Sequence, residues 1–80
     1  MRYILFVRES CVFCVKAQAL LDKKNLDYKV IDFAPEQDLI LKEIKDAYQW
    51  DTVPMIFQRN GDLIKFIGGY TGLAEHLGNE

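Results

Sequence analysis

The sequence predicts an α/β fold, β-α-β-α-β-β-α, with a four-stranded mixed sheet flanked by helices. Three observations carry that prediction. Short apolar runs without helical spacing alternate with segments whose apolar residues recur every three or four positions. A strand, a helix and a second strand follow one another before Pro35, which calls for a right-handed crossover between parallel strands. Near the end, Asn60-Gly61 separates two apolar runs, a strong hairpin signal.

Each element has its own signature. Tyr3 to Val7 is an apolar run bounded by Arg8-Glu9-Ser10 and reads as a buried strand. Ser10 is a candidate N-cap for a helix from Cys11 to about Lys24, whose Cys14, Ala17, Leu20 and Leu21 share one face. Lys23 and Lys24 suit its negative end, and Asn25 can terminate it. Tyr28 to Phe33 reads as the second strand. Pro35 opens a second helix at N1, with Glu36 and Asp38 in the first turn and an apolar face of Leu39, Ile40, Ile44, Ala47 and Tyr48. Asp51-Thr52-Val53-Pro54 breaks it. Pro54 to Gln58 is the third strand and Asp62 to Ile67 the antiparallel fourth. Gly68-Gly69 ends that strand, and Tyr70 to Leu77 forms a last short helix.

Length and composition narrow the function. The 80 residues are expected to form one domain spanning 1–80, and a hydrophobic fraction of 50% supplies a core. No apolar run approaches the roughly 20 residues of a membrane helix. The apolar start ends at Arg8 with no small-residue cleavage site after it, so a cytoplasmic protein is expected, without a membrane partner. The net charge of −2 argues against a nucleic-acid reader. The charge is uneven. Residues 1–30 hold six Lys/Arg and three Asp/Glu, a net +3; residues 31–80 hold four and nine, a net −5.

Two cysteines are too few for a stapled secreted scaffold, and with the distant His76 they do not complete a four-ligand zinc site. What remains is Cys11-Val12-Phe13-Cys14 at a strand-to-helix junction. There Cys11 would face unpaired N–H groups and the positive helix end, which favour a thiolate. Arg8 and Lys16 would add positive charge nearby. Cys14 lies one helical turn inward, so its sulfur can reach back to Cys11. An exposed nucleophile and a buried resolving thiol perform disulfide exchange. The alternatives are inert core thiols, or half of a zinc site completed by dimerisation. Thr52-Val53-Pro54 reads, from its proline alone, as a helix stop. Gly68-Gly69-Tyr70 is either a strand-to-helix turn or a point of close backbone approach for a bound peptide.

Taken together, Cys-x-x-Cys, Thr-Val-Pro and Gly-Gly-Tyr, in this order over essentially the whole chain, resemble the glutaredoxins. The resemblance implies the thioredoxin fold and a dithiol–disulfide oxidoreductase acting on protein disulfides or glutathione mixed disulfides. It implies Cys11 as nucleophile and Cys14 as resolving cysteine. Pro54 matches the family's cis-proline, and Val53 before it offers backbone hydrogen bonds to a peptide. Arg8 and Gln49 would meet the glycine carboxylate of glutathione. Val12, Phe13, Thr52, Gly69, Tyr70 and Thr71 complete the implied substrate-binding set.

No tightly bound cofactor or metal is implied; glutathione is the co-substrate. A monomer is expected, recharged by glutathione or by thioredoxin reductase, with ribonucleotide reductase as an acceptor. The alternative is a module holding an iron–sulfur cluster through Cys11 and glutathione. The sequence departs from the family's pattern at three places: Cys-Val-Phe-Cys replaces Cys-Pro-Tyr-Cys, Asp51 stands where a basic residue is common, and Thr71-Gly72 replaces an acidic pair. His76 is expected at the surface. Trp50 either edges the substrate groove or packs at a helix end. Phe6, Phe33, Phe57 and Phe66 are expected in the core, and Lys42 and Glu43 on a solvated face.

Overall fold

The first strand, β1 (Arg2–Val7), alternates between two cores. Tyr3, Leu5 and Val7 are buried on one face of the sheet, while Ile4 and Phe6 pack on the other. A strand apolar on both sides must be covered on both sides, and the remaining elements do this. In the computed structural model, which describes residues 1–8 and 11–78, β1 is followed by α1 (Val12–Lys23), β2 (Tyr28–Asp32), a 3-10 turn (Pro35–Gln37), α2 (Asp38–Ala47), β3 (Met55–Asn60), β4 (Leu63–Gly68) and α3 (Tyr70–His76). This is the predicted order. No helix among the described residues is long and apolar enough to cross a membrane.

The strands lie in the order β2-β1-β3-β4. β1 pairs parallel to β2, with Leu5 opposite Val30, and antiparallel to β3, with Leu5 opposite Ile56. β3 pairs antiparallel to β4, with Phe57 opposite Phe66. The sheet is therefore mixed, as expected. Cys14, Ala17 and Leu21 of α1 and Leu73 of α3 join Tyr3, Leu5, Val7 and Ile56 in one core. Leu41 of α2 joins Phe33, Met55 and Phe57 in the other, with Phe6 and Phe66 packed against it. All four core phenylalanines thus fall on the α2 side.

Four local expectations are corrected. The cap of α1 is Cys11, whose sulfur accepts from the Cys14 N–H; Ser10, the expected cap, lies outside the described residues. Pro35 does stand at the first position of a helical turn, but that turn is 3-10, and the α-helix begins at Asp38. The buried stripe of α2 is built on Leu41 and Ile44, while Leu39 and Ile40 are 78% and 56% exposed. At about 100° per residue, Leu39 sits nearly opposite Leu41, so both cannot face the sheet. The hairpin loop is Gly61-Asp62, because Asn60 still pairs with Leu63. Gly61, at φ +63°, takes the first central position, where a left-handed residue matches the strand twist.

Helix ends follow from carbonyl accounting. At the end of α1, Asn25 adopts φ +60° and donates to the Asp22 carbonyl, while Leu26 donates to that of Leu21 (both 3.0 Å). At the end of α2, Gln49 adopts φ +53° and donates to the Asp46 carbonyl, and Trp50 to that of Lys45 at 2.8 Å. Both are Schellman closures, which satisfy orphan carbonyls by reversing the chain through one left-handed residue. The second aims Trp50 back toward the sheet and leads into Thr52-Val53-Pro54.

Candidate active site

Cys11 occupies the N-cap of α1 in extended conformation, φ −99° and ψ 107°. Its Sγ accepts the Cys14 N–H at 3.1 Å. A sulfur here fills the place of the usual capping hydroxyl, beside the orphan donors of the first helical turn. Cys14 sits one turn on and is only 3% exposed, packed in the α1/α3 core; Cys11 is half-buried. The two are joined in a disulfide, with Cα atoms 5.2 Å apart. The expected division into an accessible sulfur and a buried one is present.

The Val53–Pro54 peptide is cis. The Val53 carbonyl oxygen lies 3.8 Å from the Cys11 sulfur, so the loop after α2 sets a backbone polar group beside the reactive atom. Val53 also lines an uncharged surface cavity of about 370 Å³. The cavity brings together Phe13, Thr52, Val53, Pro54, Gly69, Tyr70 and Thr71, seven residues predicted from three separate segments. The Phe13 and Tyr70 rings face each other with centroids 6.1 Å apart, and the Lys16 ammonium stands 5.2 Å from the Phe13 centroid.

Trp50 and Gly72 complete the wall. The Trp50 indole packs edge-on to Phe66 at 5.2 Å and covers Gly68 and Gly69, where added Cβ atoms would meet it at 3.5 and 3.6 Å. Of its two readings, it therefore satisfies both: it packs at a helix end and it edges the groove. Gly72 allows α3 to lie against β4, since a Cβ there would stand 2.7 Å from the Ile67 carbonyl oxygen. In the sequence Gly72 stands out only as a third glycine and as part of the departure from an acidic pair, and nothing there marks this contact.

A second cavity, of about 470 Å³, opens on the other side of the disulfide. Arg8 and Val12 line it with Cys11, Cys14 and Gln18, and Asp32 closes one wall. Arg8 forms an ion pair with Asp38 of α2. Asp32 arrives through strand register, opposite Val7. Neither carboxylate was a sequence candidate. Gln49 joins neither cavity: its backbone serves the Schellman closure, and its side chain is exposed. His76 is exposed at the far end of α3, its ring edge-on to Tyr3 with centroids 6.1 Å apart.

Fold and site together define a thioredoxin-fold protein with a Cys-x-x-Cys disulfide at the start of its first helix, facing a cis-proline. The glutaredoxin family model matches residues 3–64, and the chain belongs to the glutaredoxin family. Over 58 residues it is 43% identical to Glutaredoxin 1 of Rickettsia prowazekii, covering 71% of this chain and 61% of that protein. Glutaredoxin 1 of Rickettsia typhi is 42% identical over 60 residues, covering 71% of this chain and 56% of that one. The match thus spans about three fifths of these curated relatives.

Among solved structures, glutaredoxin from Brucella melitensis aligns with a TM-score of 0.69 and 29% identity over 99% of this chain and 83% of that one. Glutaredoxin 1 from Francisella tularensis, complexed with cacodylate, gives 0.64 and 24% over 99% and 98%. The glutaredoxin-like NrdH-redoxin from Escherichia coli gives 0.63 and 21% over 90% and 87%. The last two attest the fold.

Proposed function

We propose that this chain is a dithiol–disulfide oxidoreductase acting on protein disulfides and glutathione mixed disulfides. The observation that carries the reading is the unequal cysteine pair: Cys11 half-exposed and capped by a helix N–H, Cys14 buried one turn behind it. In the reduced state the Cys14 N–H and the positive end of α1 favour a thiolate at Cys11. That thiolate attacks one sulfur of the substrate, forms a mixed disulfide and expels the other sulfur as a thiolate. Cys14, losing its proton, then attacks the Cys11 sulfur and releases the second substrate thiolate. The protein loses two electrons, the substrate gains two, and the Cys11–Cys14 bond remains.

The uncharged cavity fits the backbone flanking the target sulfur, with the Val53 peptide as its polar edge and Phe13, Trp50 and Tyr70 as apolar walls. Re-reduction needs an outside dithiol or thiol pool. Glutathione with its reductase and thioredoxin reductase are the two candidates, and ribonucleotide reductase is a candidate acceptor. The thioredoxin-like activity profile described for the E. coli neighbour makes the second reductase worth testing.

Cys11→Ser should abolish reduction of every disulfide. Cys14→Ser should abolish turnover of protein disulfides but retain turnover of glutathione mixed disulfides, which need only one thiol. Alkylation followed by mass spectrometry checks the assignment, and preferential labelling of Cys14 at low pH would overturn it. Running one disulfide substrate with each reductase in turn identifies the electron source.

A further inference from the structure

Arg8 lines the second cavity beside both cysteines. Its planar guanidinium is a fork suited to a carboxylate, so an anionic group on an incoming disulfide would find its natural partner there. That partner is already engaged. An Arg8 N–H donates to a carboxylate oxygen of Asp38, which lies in the first turn of α2 and is brought in from 30 positions away. Asp38 is more exposed than Arg8, with side chains 59% and 29% accessible. An anion that approaches Arg8 thus meets a guanidinium that already holds a carboxylate.

Asp32 places a second carboxylate in the same wall. Arg8 is thus paired with one carboxylate and shares its cavity with a second, so the positive charge expected there from the sequence does not stand alone. Across the disulfide, the groove has no charged residue among its described lining residues. Lys16 is held over the Phe13 ring.

We propose that Asp38 determines substrate charge preference: by occupying Arg8, it sets the site against small anionic disulfides and in favour of neutral or basic ones. This rests on the oxidoreductase reading and deepens it. An anionic disulfide must displace Asp38 from Arg8 or share the guanidinium with it. A neutral or cationic one does neither. Asp38 acts through Arg8 as a positioning residue and takes no part in the exchange of sulfur bonds.

The test uses the pre-reduced full chain and three disulfides: anionic glutathione disulfide, neutral hydroxyethyl disulfide and cationic cystamine. Each is reduced to two thiols as the protein's dithiol becomes the Cys11–Cys14 disulfide, and stopped-flow fluorescence gives the rate constants. In Asp38→Asn the ratio of the glutathione to the hydroxyethyl rate should rise about three- to tenfold, and the cystamine ratio should fall, as expected for a local charge change. A change in Cys11 thiolate content scales all three rates together and cancels in the ratios.

In an Arg8→Gln background the same substitution should raise the glutathione ratio less than twofold. An unchanged ratio in Asp38→Asn, or an equal rise without Arg8, overturns the proposal. Asp38→Ser supplies a second variant, with circular dichroism confirming the fold of each. Wild-type protein inert toward all three disulfides would overturn the oxidoreductase reading itself.

Discussion

The two sides of the Cys11–Cys14 disulfide differ in kind. On one side, an uncharged groove is walled by Phe13, Trp50, Tyr70 and the glycines of the β4–α3 turn. On the other, a cavity of similar size carries Arg8, Gln18 and Asp32, with Asp38 bound to the arginine. The first side is made where the start of α1, the loop before β3 and the start of α3 converge, the second by the ends of β1 and β2 and the first turns of α1. Under the proposed function, one sulfur pair would meet a substrate through two surfaces: an apolar one suited to polypeptide backbone, and a charged one suited to selecting what flanks it.

The comparison can be broken first on the groove side. Gly72→Ala places a methyl group against the Ile67 carbonyl, at 2.7 Å before relaxation. Moving α3 off β4 should cost about 1–3 kcal/mol, in line with overpacking elsewhere, measured as a lowered urea midpoint. The Asp38-dependent charge preference should survive in the folded fraction, because its residues lie across the disulfide.

A smaller effect separates the groove's binding role from its structural one. Phe13 is 53% exposed yet faces Tyr70. Phe13→Ala should leave stability within about 0.5 kcal/mol, as for most exposed positions. Its rate on a peptide disulfide should fall several-fold, matching the roughly 0.5–1.5 kcal/mol of an aromatic contact. An equal loss on hydroxyethyl disulfide would show that Phe13 positions the cysteines and does not touch the peptide.

The smallest effect lies away from both cavities. Tyr28 donates to Asp22 at 2.9 Å. That hydrogen bond, with burial and the Asp22 charge, raises the phenol above its ordinary value of 10.0. Because the folded state holds the proton more tightly, the bond's stabilisation is complete below about pH 10 and is lost as pH rises through the folded value. The stability gap between wild type and Tyr28→Phe should therefore hold constant up to about pH 10 and narrow above it in urea titrations, with exchange rates at neutral pH unchanged.

Particular residues show where the sequence was legible. The apolar runs and the Cys-x-x-Cys junction carry local signals, so element order and the unequal burial of the two cysteines could be read. The groove was readable because each of its segments bears a motif of its own, Thr-Val-Pro and Gly-Gly-Tyr among them. Gln49 lines neither cavity, and what the sequence did not show is that its left-handed backbone closes α2. Leu41 was passed over because the helix is apolar on more than one side, and only the sheet selects the stripe that is buried.

By itself, then, the sequence determined the periodicities, the breaks and the pair of thiols three residues apart, all properties of short range. What only the tertiary structure decided is the electrostatics around those thiols. The count of +3 over the first thirty residues pointed to a basic site, but Asp32 and Asp38 come from the acidic remainder of the chain. The place of Asp32 in the Arg8 cavity is set by the parallel pairing of β1 with β2, and the pairing of Asp38 with Arg8 by where α2 begins. Coulomb interactions depend on distance in space, and no window of sequence contains that distance.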